Sequence, residues 1–283
     1  MSIKSTLDAR GWRPQKKWGQ HFLTDPRILE SIVDAAEVTP ADTILEIGPG
    51  LGHLTRALAR RAGRVVAVEV DAELTAKLQN DFADVAHVAI LQGDVLDAEP
   101  VEWITKGGAG LGPAPSFKVV ANLPYYITSA ILRHVLQAAH KPRLLVVMVQ
   151  RQVAQRIVAR PPAMSLLAVS VHFFAQPRIV RTIAAGAFYP PPQVDSAVVR
   201  MDVFAQARLD PAETARLFEI VRAGFGERRK QLRNSLARGL SREPDAIAAA
   251  LARAGILPTR RAETLTLDEW VALYRALAPR PGI

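Results

Sequence analysis

The chain has 283 residues, 49% of them hydrophobic and 22% charged, and no cysteine; it has the composition of a globular protein with a sizeable core, and disulfides, zinc ribbons and thiol nucleophiles are excluded. No apolar run reaches the roughly 18 residues of a membrane span, and the opening MSIKSTLDARGWRPQKKWGQ lacks the apolar stretch of a secretory leader, so a cytoplasmic protein is expected. The net charge of +9 is unevenly placed, with +4 in residues 1–27, zero in 28–205 and +5 in 206–283; a neutral middle between two basic pieces favours a polyanion partner over the alternative of basic residues that merely solvate exposed faces.

The first element expected is a helix over Ile28–Ala36, entered just after Pro26. From about 42 to 149 short apolar or β-branched runs alternate with helix-like stretches. The runs are Thr43–Ile47, Arg64–Val70, Ala86–Leu91, Lys118–Ala121 and Leu144–Val149. The helices between them are Gly52–Arg61, Asp71–Asp81 and Ser129–Ala139. Such alternation predicts a parallel sheet with helices on both faces. Gly107–Pro115 reads as a loop by composition. Arg151–Val158 and Ser165–Phe174 read as helices, and Pro177–Ile183 and Val194–Val203 as strands, separated by the conformationally restricted FYPPPQ. Beyond about 205 only helices are expected: Pro211–Ala223, Arg228–Arg238, Asp245–Ala254 and Leu267–Leu277. A domain boundary is therefore placed near 205, with an α/β domain over 1–205 and a smaller all-helical domain over 206–283.

The first strand of this alternation runs into Leu45-Glu46-Ile47-Gly48-Pro49-Gly50-Leu51-Gly52. Glycines after a strand and before a helix allow a tight turn and close approach of a ligand. Many nucleotide-binding folds carry such a loop, so its neighbours decide the ligand. Glu46 would repel a pyrophosphate but tolerate a cation, and S-adenosylmethionine carries both a sulfonium and an amino group. Glu69 ends the next strand, about 20 residues after the loop, where a carboxylate can accept from both ribose hydroxyls. Asp94 follows the third strand and can accept from an adenine amino group. Asp71 and Asp94 each have a second reading as helix N-caps.

The fourth strand ends in Asn122-Leu123-Pro124-Tyr125, at the carboxyl edge where open α/β sheets bind ligands. An adenine amine is a poor nucleophile because its lone pair is delocalised into the ring. The Asn122 side-chain oxygen and the Leu123 carbonyl can accept its two N–H bonds and hold it out of that arrangement. Pro124 stiffens the turn, and Tyr125 offers a ring on which a base can stack. No strong general base is needed, because the methylated nitrogen is itself acidic. The other reading of this tetrapeptide is a turn with an aromatic plug.

Between Arg222 and Arg242 lie seven Arg/Lys and one Glu. On a helix starting near Arg228, Leu232, Leu236 and Leu240 would form a buried seam. Arg229 and Arg233 would share one exposed face, flanked by Lys230 and Arg238. Arginines so arranged can grip phosphates. The N-terminal arm from Lys4 to Trp18 is expected to be flexible without its partner.

Together these segments resemble the KsgA/RsmA family of ribosomal RNA adenine dimethyltransferases along almost the whole chain. Lys16-Lys17-Trp18-Gly19-Gln20-His21-Phe22-Leu23 is similar to the family's N-terminal element. Glu46–Thr55, Glu69, Gly93-Asp94 and Asn122–Tyr125 follow in the family's order. Phe188-Tyr189-Pro190-Pro191-Pro192-Gln193-Val194-Asp195-Ser196-Ala197-Val198 resembles its proline-rich element. Phe225, with Arg228-Arg229-Lys230-Gln231-Leu232-Arg233-Asn234-Ser235-Leu236, resembles its C-terminal signature. The resemblance implies a Rossmann-like class I methyltransferase sheet, mostly parallel with an antiparallel last strand, and S-adenosylmethionine as cofactor, with no metal. It implies that His21 and Leu23 contact the cofactor, that Gly48 lines the methionine pocket, that Glu69 holds the ribose and Asp94 the adenine, and that Asn122 touches both cofactor and target amine. Tyr125 and Phe188 would stack on the flipped base, and Arg222, Arg228, Arg229, Lys230 and Arg233 would contact RNA. The implied substrate is a pair of adjacent adenosines near the 3′ end of 16S rRNA within an immature 30S subunit, and nothing demands more than a monomer. Position 21 is His where the family usually has Asn; an imidazole also donates and accepts, with different geometry. Three rivals remain: an enzyme acting on large-subunit rRNA, a DNA adenine methyltransferase with a similar tetrapeptide, and a non-catalytic assembly factor. The C-terminal signature, the lack of a DNA-reading domain and the intact Glu69, Asp94 and Asn122 argue against them in turn.

Overall fold

The structure is a computed structural model that describes residues 21–23, 25–108, 116–227 and 229–278. The arm from Lys4 to Trp18 and most of the Gly107–Pro115 loop lie outside the described residues. The chain divides into two compact units. One comprises the described residues up to Gln155 together with Ala175–Ala205; the other comprises Arg156–Phe174 together with the described residues from Gln206 onward.

The first unit is built on a seven-stranded sheet of order β4-β3-β2-β5-β6-β9-β7. Its strands are β2 (Thr43–Ile47), β3 (Arg64–Glu69), β4 (Val88–Gln92), β5 (Phe117–Asn122), β6 (Leu144–Gln150), β7 (Ala175–Ile183) and β9 (Ser196–Val203). The five from β4 to β6 are parallel, and β9 pairs antiparallel with both β6 and β7. The last strand in chain order is thus the one that runs against the rest. Segments such as RVVAVE and LLVVMVQ are apolar on both faces because helices cover both sides of a parallel sheet.

Helix α1 (Pro26–Ala35) starts on Asp25, whose side chain accepts from Arg27 N. It buries Ile28, Leu29, Ile32 and Val33, which join Ile44, Val65, Val120 and Val146 of the sheet and Leu54 and Leu58 of α2 (His53–Ala59) in one apolar cluster. On the opposite face α3 (Ala72–Asp81) packs Leu78 against Ala67 and Ile90. A further helix, α4 (Pro100–Lys106), has no counterpart in the sequence expectation; Pro100 opens it and a Glu99–Glu102 capping box closes its first turn. Helix α5 (Thr128–Gln137) follows the tetrapeptide, and α6 (Arg151–Val158) follows β6. A second, two-stranded sheet was also not foreseen: β1 (Phe22–Leu23) pairs antiparallel with β8 (Phe188–Tyr189).

The second unit is helical: α7 (Leu166–Phe174), α8 (Pro211–Phe225), α9 (Leu232–Gly239), α10 (Pro244–Arg253) and α11 (Leu267–Leu277). Capping boxes fix the starts of α8 (Asp210 and Glu213) and α11 (Thr266 and Glu269). The fully buried Trp270 sits in its core with Leu232, Leu236, Leu251 and Leu273. The division keeps a change of unit after Ala205 but differs from a single cut there, because Arg156–Phe174 belongs with the helices. Helix α7 reads LLAVSVHFF, and its Ala168, Val169 and Phe173 are buried members of the helical core.

Helix α9 begins at Leu232, not near Arg228. Gln231 is its N-cap, and Arg229 and Lys230 lie in the preceding turn. The i+4 leucine spacing is satisfied by a helix that starts at its first leucine, so spacing alone could not set the start. Arg229 and Arg233 therefore do not share a helix face. Leu232 and Leu236 are fully buried, whereas Leu240 is the half-buried C-cap.

Among the described residues no helix is long and apolar enough to cross a membrane, and no group of three or more His, Cys, Asp or Glu could hold a metal ion.

Candidate functional site

The carboxyl ends of β2, β3, β4 and β5 line one open cleft of ≈ 1140 Å³, its solvent-filled mouth included. Its floor is the turn between β2 and α2. Gly48 and Gly50 have φ of 66° and 57°, a region that favours glycine. A Cβ on Gly50 would come within 2.9 Å of the Phe22 ring, so the turn also lets β1 close over it. Gly48 N donates to Val68 O at 2.9 Å, which stitches the turn to the end of β3.

Glu69 closes β3 and is 5% exposed. One carboxylate oxygen accepts from Gly50 N and the other from Asp71 N, each at 3.1 Å. Burial pushes its pKa up, and those two main-chain donors oppose the shift. Asp71 caps α3 by accepting from Glu73 N and Leu74 N, as its N-cap reading expects. Asp94 lines the cleft and also caps the next turn, accepting from Leu96 N at 2.9 Å.

Glu46, 1% exposed, is a wall of the same cleft. Burial raises its carboxyl to about 8; the nearby Thr55 hydroxyl opposes the rise and Glu69 adds to it. Neither Glu46 Oε2 nor Thr55 Oγ1 has a partner at hydrogen-bonding geometry. A buried acceptor without a donor is costly; a cationic ligand in the cleft would supply a donor and favour the ionised carboxylate over the protonated form that burial imposes. The residues present thus fit S-adenosylmethionine: an acid for its positive groups, a glycine turn that admits it, and Glu69 and Asp94 beyond.

The tetrapeptide forms the opposite wall. Asn122 ends β5 and its Nδ2 donates to the His21 carbonyl at 3.2 Å; this leaves the amide oxygen as the acceptor. Leu123 is 1% exposed, and its N–H donates to Met148 O at 3.1 Å. Pro124 O accepts from the Thr128 hydroxyl at 3.1 Å, so the turn is welded to the start of α5. A Cβ on Gly48 would lie 4.0 Å from Pro124 Cδ, which measures how closely the two walls approach. Tyr125 is half-buried and shares a hydrogen bond of 2.6 Å with Ser196 Oγ; burial raises its phenol.

His21 and Leu23 both line the cleft. The His21 ring donates from Nδ1 to Pro190 O at 2.7 Å and stacks on Tyr125, with centroids 5.9 Å apart and planes 23° from parallel. Phe188 is not brought to the cleft. It is 4% exposed and packs with Leu23, Ile28 and Ile183. In the small ribbon Leu23 is the register partner of Phe188, and Phe22 that of Tyr189; Phe22 packs with Leu51 and Leu74.

In the helical unit Arg222, Arg229 and Lys230 are exposed. Arg233 is half-buried and pairs with Asp245 at 3.0 Å; Arg238 pairs with Glu227 at 2.7 Å. Arg228 lies outside the described residues. Two side chains escaped sequence reasoning. Tyr126 is 58% exposed and lines the cleft; burial raises its phenol, with the charges of Asp94 and Glu69 adding to the effect. Its signal was its place directly after the tetrapeptide. Ser196 was quoted only as part of a motif and proves to be the partner of the Tyr125 hydroxyl.

The model of the ribosomal RNA adenine dimethylase family matches residues 12–278. A ribosomal RNA small subunit methyltransferase A from Dehalococcoides mccartyi is 45% identical over 278 residues, 98% of this chain and 93% of that protein. One from Moorella thermoacetica is 42% identical over 272 residues, 95% and 94% of the two chains. Among solved structures, the 23S rRNA methyltransferase ErmE superimposes with a TM-score of 0.69 at 28% identity, covering 90% of this chain and 99% of its own. A dimethyladenosine transferase from Plasmodium falciparum gives 0.72 at 21% identity, over 89% and 96%; that likeness speaks to the fold.

Proposed function

The chain belongs to the ribosomal RNA adenine dimethylase family, and from that premise we propose that it dimethylates N6 of two adjacent adenosines near the 3′ end of 16S rRNA, in an immature 30S subunit, as a cytoplasmic monomer. It is an S-adenosylmethionine-dependent rRNA adenine dimethyltransferase. Bound S-adenosylmethionine supplies an electrophilic methyl carbon. Glu69 would hold its ribose, Asp94 its adenine, and Gly48 and Glu46 its amino-acid end, with Leu23 closing the pocket.

The observation that carries this reading is the state of Asn122. Its amide nitrogen is committed to the His21 carbonyl, so its oxygen is the atom available to accept from a target amine, with the Leu123 carbonyl as the second acceptor. Two acceptors on one amine orient the nitrogen lone pair toward the cleft. Tyr125 gives the base a stacking surface. The amine must leave any base stack to reach this point, which single-stranded or loop RNA makes cheaper. Exposed Arg222, Arg229 and Lys230, with Arg228 and Arg233, would contact RNA phosphates from the helical domain.

The 23S enzyme at 28% identity makes large-subunit rRNA the alternative substrate. The test is methylation of separate 30S and 50S particles by purified protein, followed by mass spectrometry of nuclease-derived rRNA oligonucleotides. N6,N6-dimethyladenosine at two neighbouring positions of 30S rRNA is expected. Product on 50S alone, or on neither particle, would overturn the assignment.

A further inference from the structure

We infer that the imidazole of His21 is a positioning residue for the target base, acting through Tyr125. The inference rests on the reading of Tyr125 as the surface on which that base stacks. Two contacts hold the ring. Nδ1 donates to Pro190 O at 2.7 Å, and the ring lies against Tyr125 with centroids 5.9 Å apart and planes 23° from parallel. Tyr125 is held from a second side by the 2.6 Å bond between its hydroxyl and Ser196 Oγ, and Ser196 is fully buried at the start of β9.

The spacing decides what this pair can do. A base inserted between two rings needs about 7 Å, twice the ~3.4 Å rise of stacked bases. The 5.9 Å between His21 and Tyr125 is too little, so a base stacks on the other face of Tyr125, and His21 backs the ring. The same residue reaches the acceptor side of the site, because its main-chain oxygen accepts from Asn122 Nδ2 at 3.2 Å. His21 therefore links the wall that stacks the base to the amide that orients its amine. The Pro190 bond anchors this link to the segment that follows β8, beside the β1–β8 pairing.

The test separates ring from hydrogen bond. His21→Ala removes both, His21→Phe keeps a ring without the donor, and His21→Asn keeps a donor without the ring. In all three the main-chain oxygen that receives Asn122 remains. Loss of one aromatic pair predicts that His21→Ala lowers kcat/KM for 30S particles by about 3- to 10-fold, with S-adenosylmethionine affinity by calorimetry held within about twofold. His21→Phe should recover most of that loss and His21→Asn little of it. Three variants equal to wild type would overturn the inference, as would rescue by Asn but not Phe, or a loss of cofactor affinity as large as the loss of rate. A wild-type protein that methylates no adenosine would instead sink the functional reading itself, which distinguishes the two failures.

Discussion

Replacing Glu46 by Gln should flatten a pH dependence of stability that one carboxyl imposes. Glu46 is 1% exposed, and its pKa in the folded chain stands at about 8 against an ordinary 4.5, chiefly through burial. Below pH 4.5 it is protonated whether the chain is folded or not, and it contributes no pH dependence. Between 4.5 and 8 the unfolded chain releases the proton and the folded chain keeps it, so stability falls as pH rises. The slope is roughly 1.4 kcal/mol per pH unit. Over the whole window the loss is about 5 kcal/mol at most, and above about pH 8 it stops growing. A neutral glutamine at this position would carry no such penalty. Urea unfolding of wild type and variant, in the absence of cofactor and at intervals from about pH 5 to 9, measures the difference directly. Every other titrating group is present in both proteins, so subtraction isolates Glu46 apart from its influence on neighbouring Glu69. A wild-type-minus-variant difference that stays constant from about pH 5 to 8 would refute the claim that this carboxyl holds its proton in the folded state.

Asn122→Ala should lower methyl transfer by at least about 100-fold, the effect of a misaligned reacting group, while calorimetry finds S-adenosylmethionine affinity within about tenfold of wild type; full activity would remove Asn122 from the chemistry. Neutralising Arg229, Lys230 and Arg233 together should weaken RNA binding and reduce the slope of log K against log salt by about 0.7 for each phosphate of a single strand that is no longer neutralised. Arg233 should contribute least, since Asp245 already pairs with it, and an unchanged slope would contradict the assignment. Trp270→Ala should cost about 3–5 kcal/mol by chemical denaturation, because the side chain is fully buried in the helical unit's core; a destabilisation below about 1 kcal/mol would mean that this core tolerates the void.

What could be read from the sequence was whatever chemistry is written in contiguous residues. The five parallel strands announced themselves as apolar runs, and the residues proposed to act, Glu69, Asp94 and Asn122, stand at or just past the ends of three of them. Elements joined across long sequence separations were not legible. Strand β1 is two residues long, too short for any periodicity, and only its pairing with β8 gives it an identity. The packing of Phe188 is illegible for the same reason: its motif is local, but its neighbours Leu23 and Ile28 come from the other end of the chain. Helix α4 is short and has Pro100 and two glutamates about its first turn, which hides its apolar pattern, although a leading proline and a capping box are themselves start signals. The start of α9 carries no local signal, because Gln231 makes no side-chain cap. The contribution of Arg156–Phe174 to the helical unit depends on packing, and α7 is apolar on too many sides for its pattern to name a partner.

The pairing of β1 with β8 also constrains how the protein can be made. His21 and Pro190 are 169 residues apart, and a ribosome adding roughly 5–20 residues per second needs roughly ten to thirty seconds to travel between them. Throughout that interval the strand that roofs the glycine turn has been made while its complement is still to be translated. The pocket therefore reaches its finished form late in synthesis, after all five parallel strands have been made, and a nascent chain stalled before Pro190 would hold every cofactor-side acid and still lack the closed cavity.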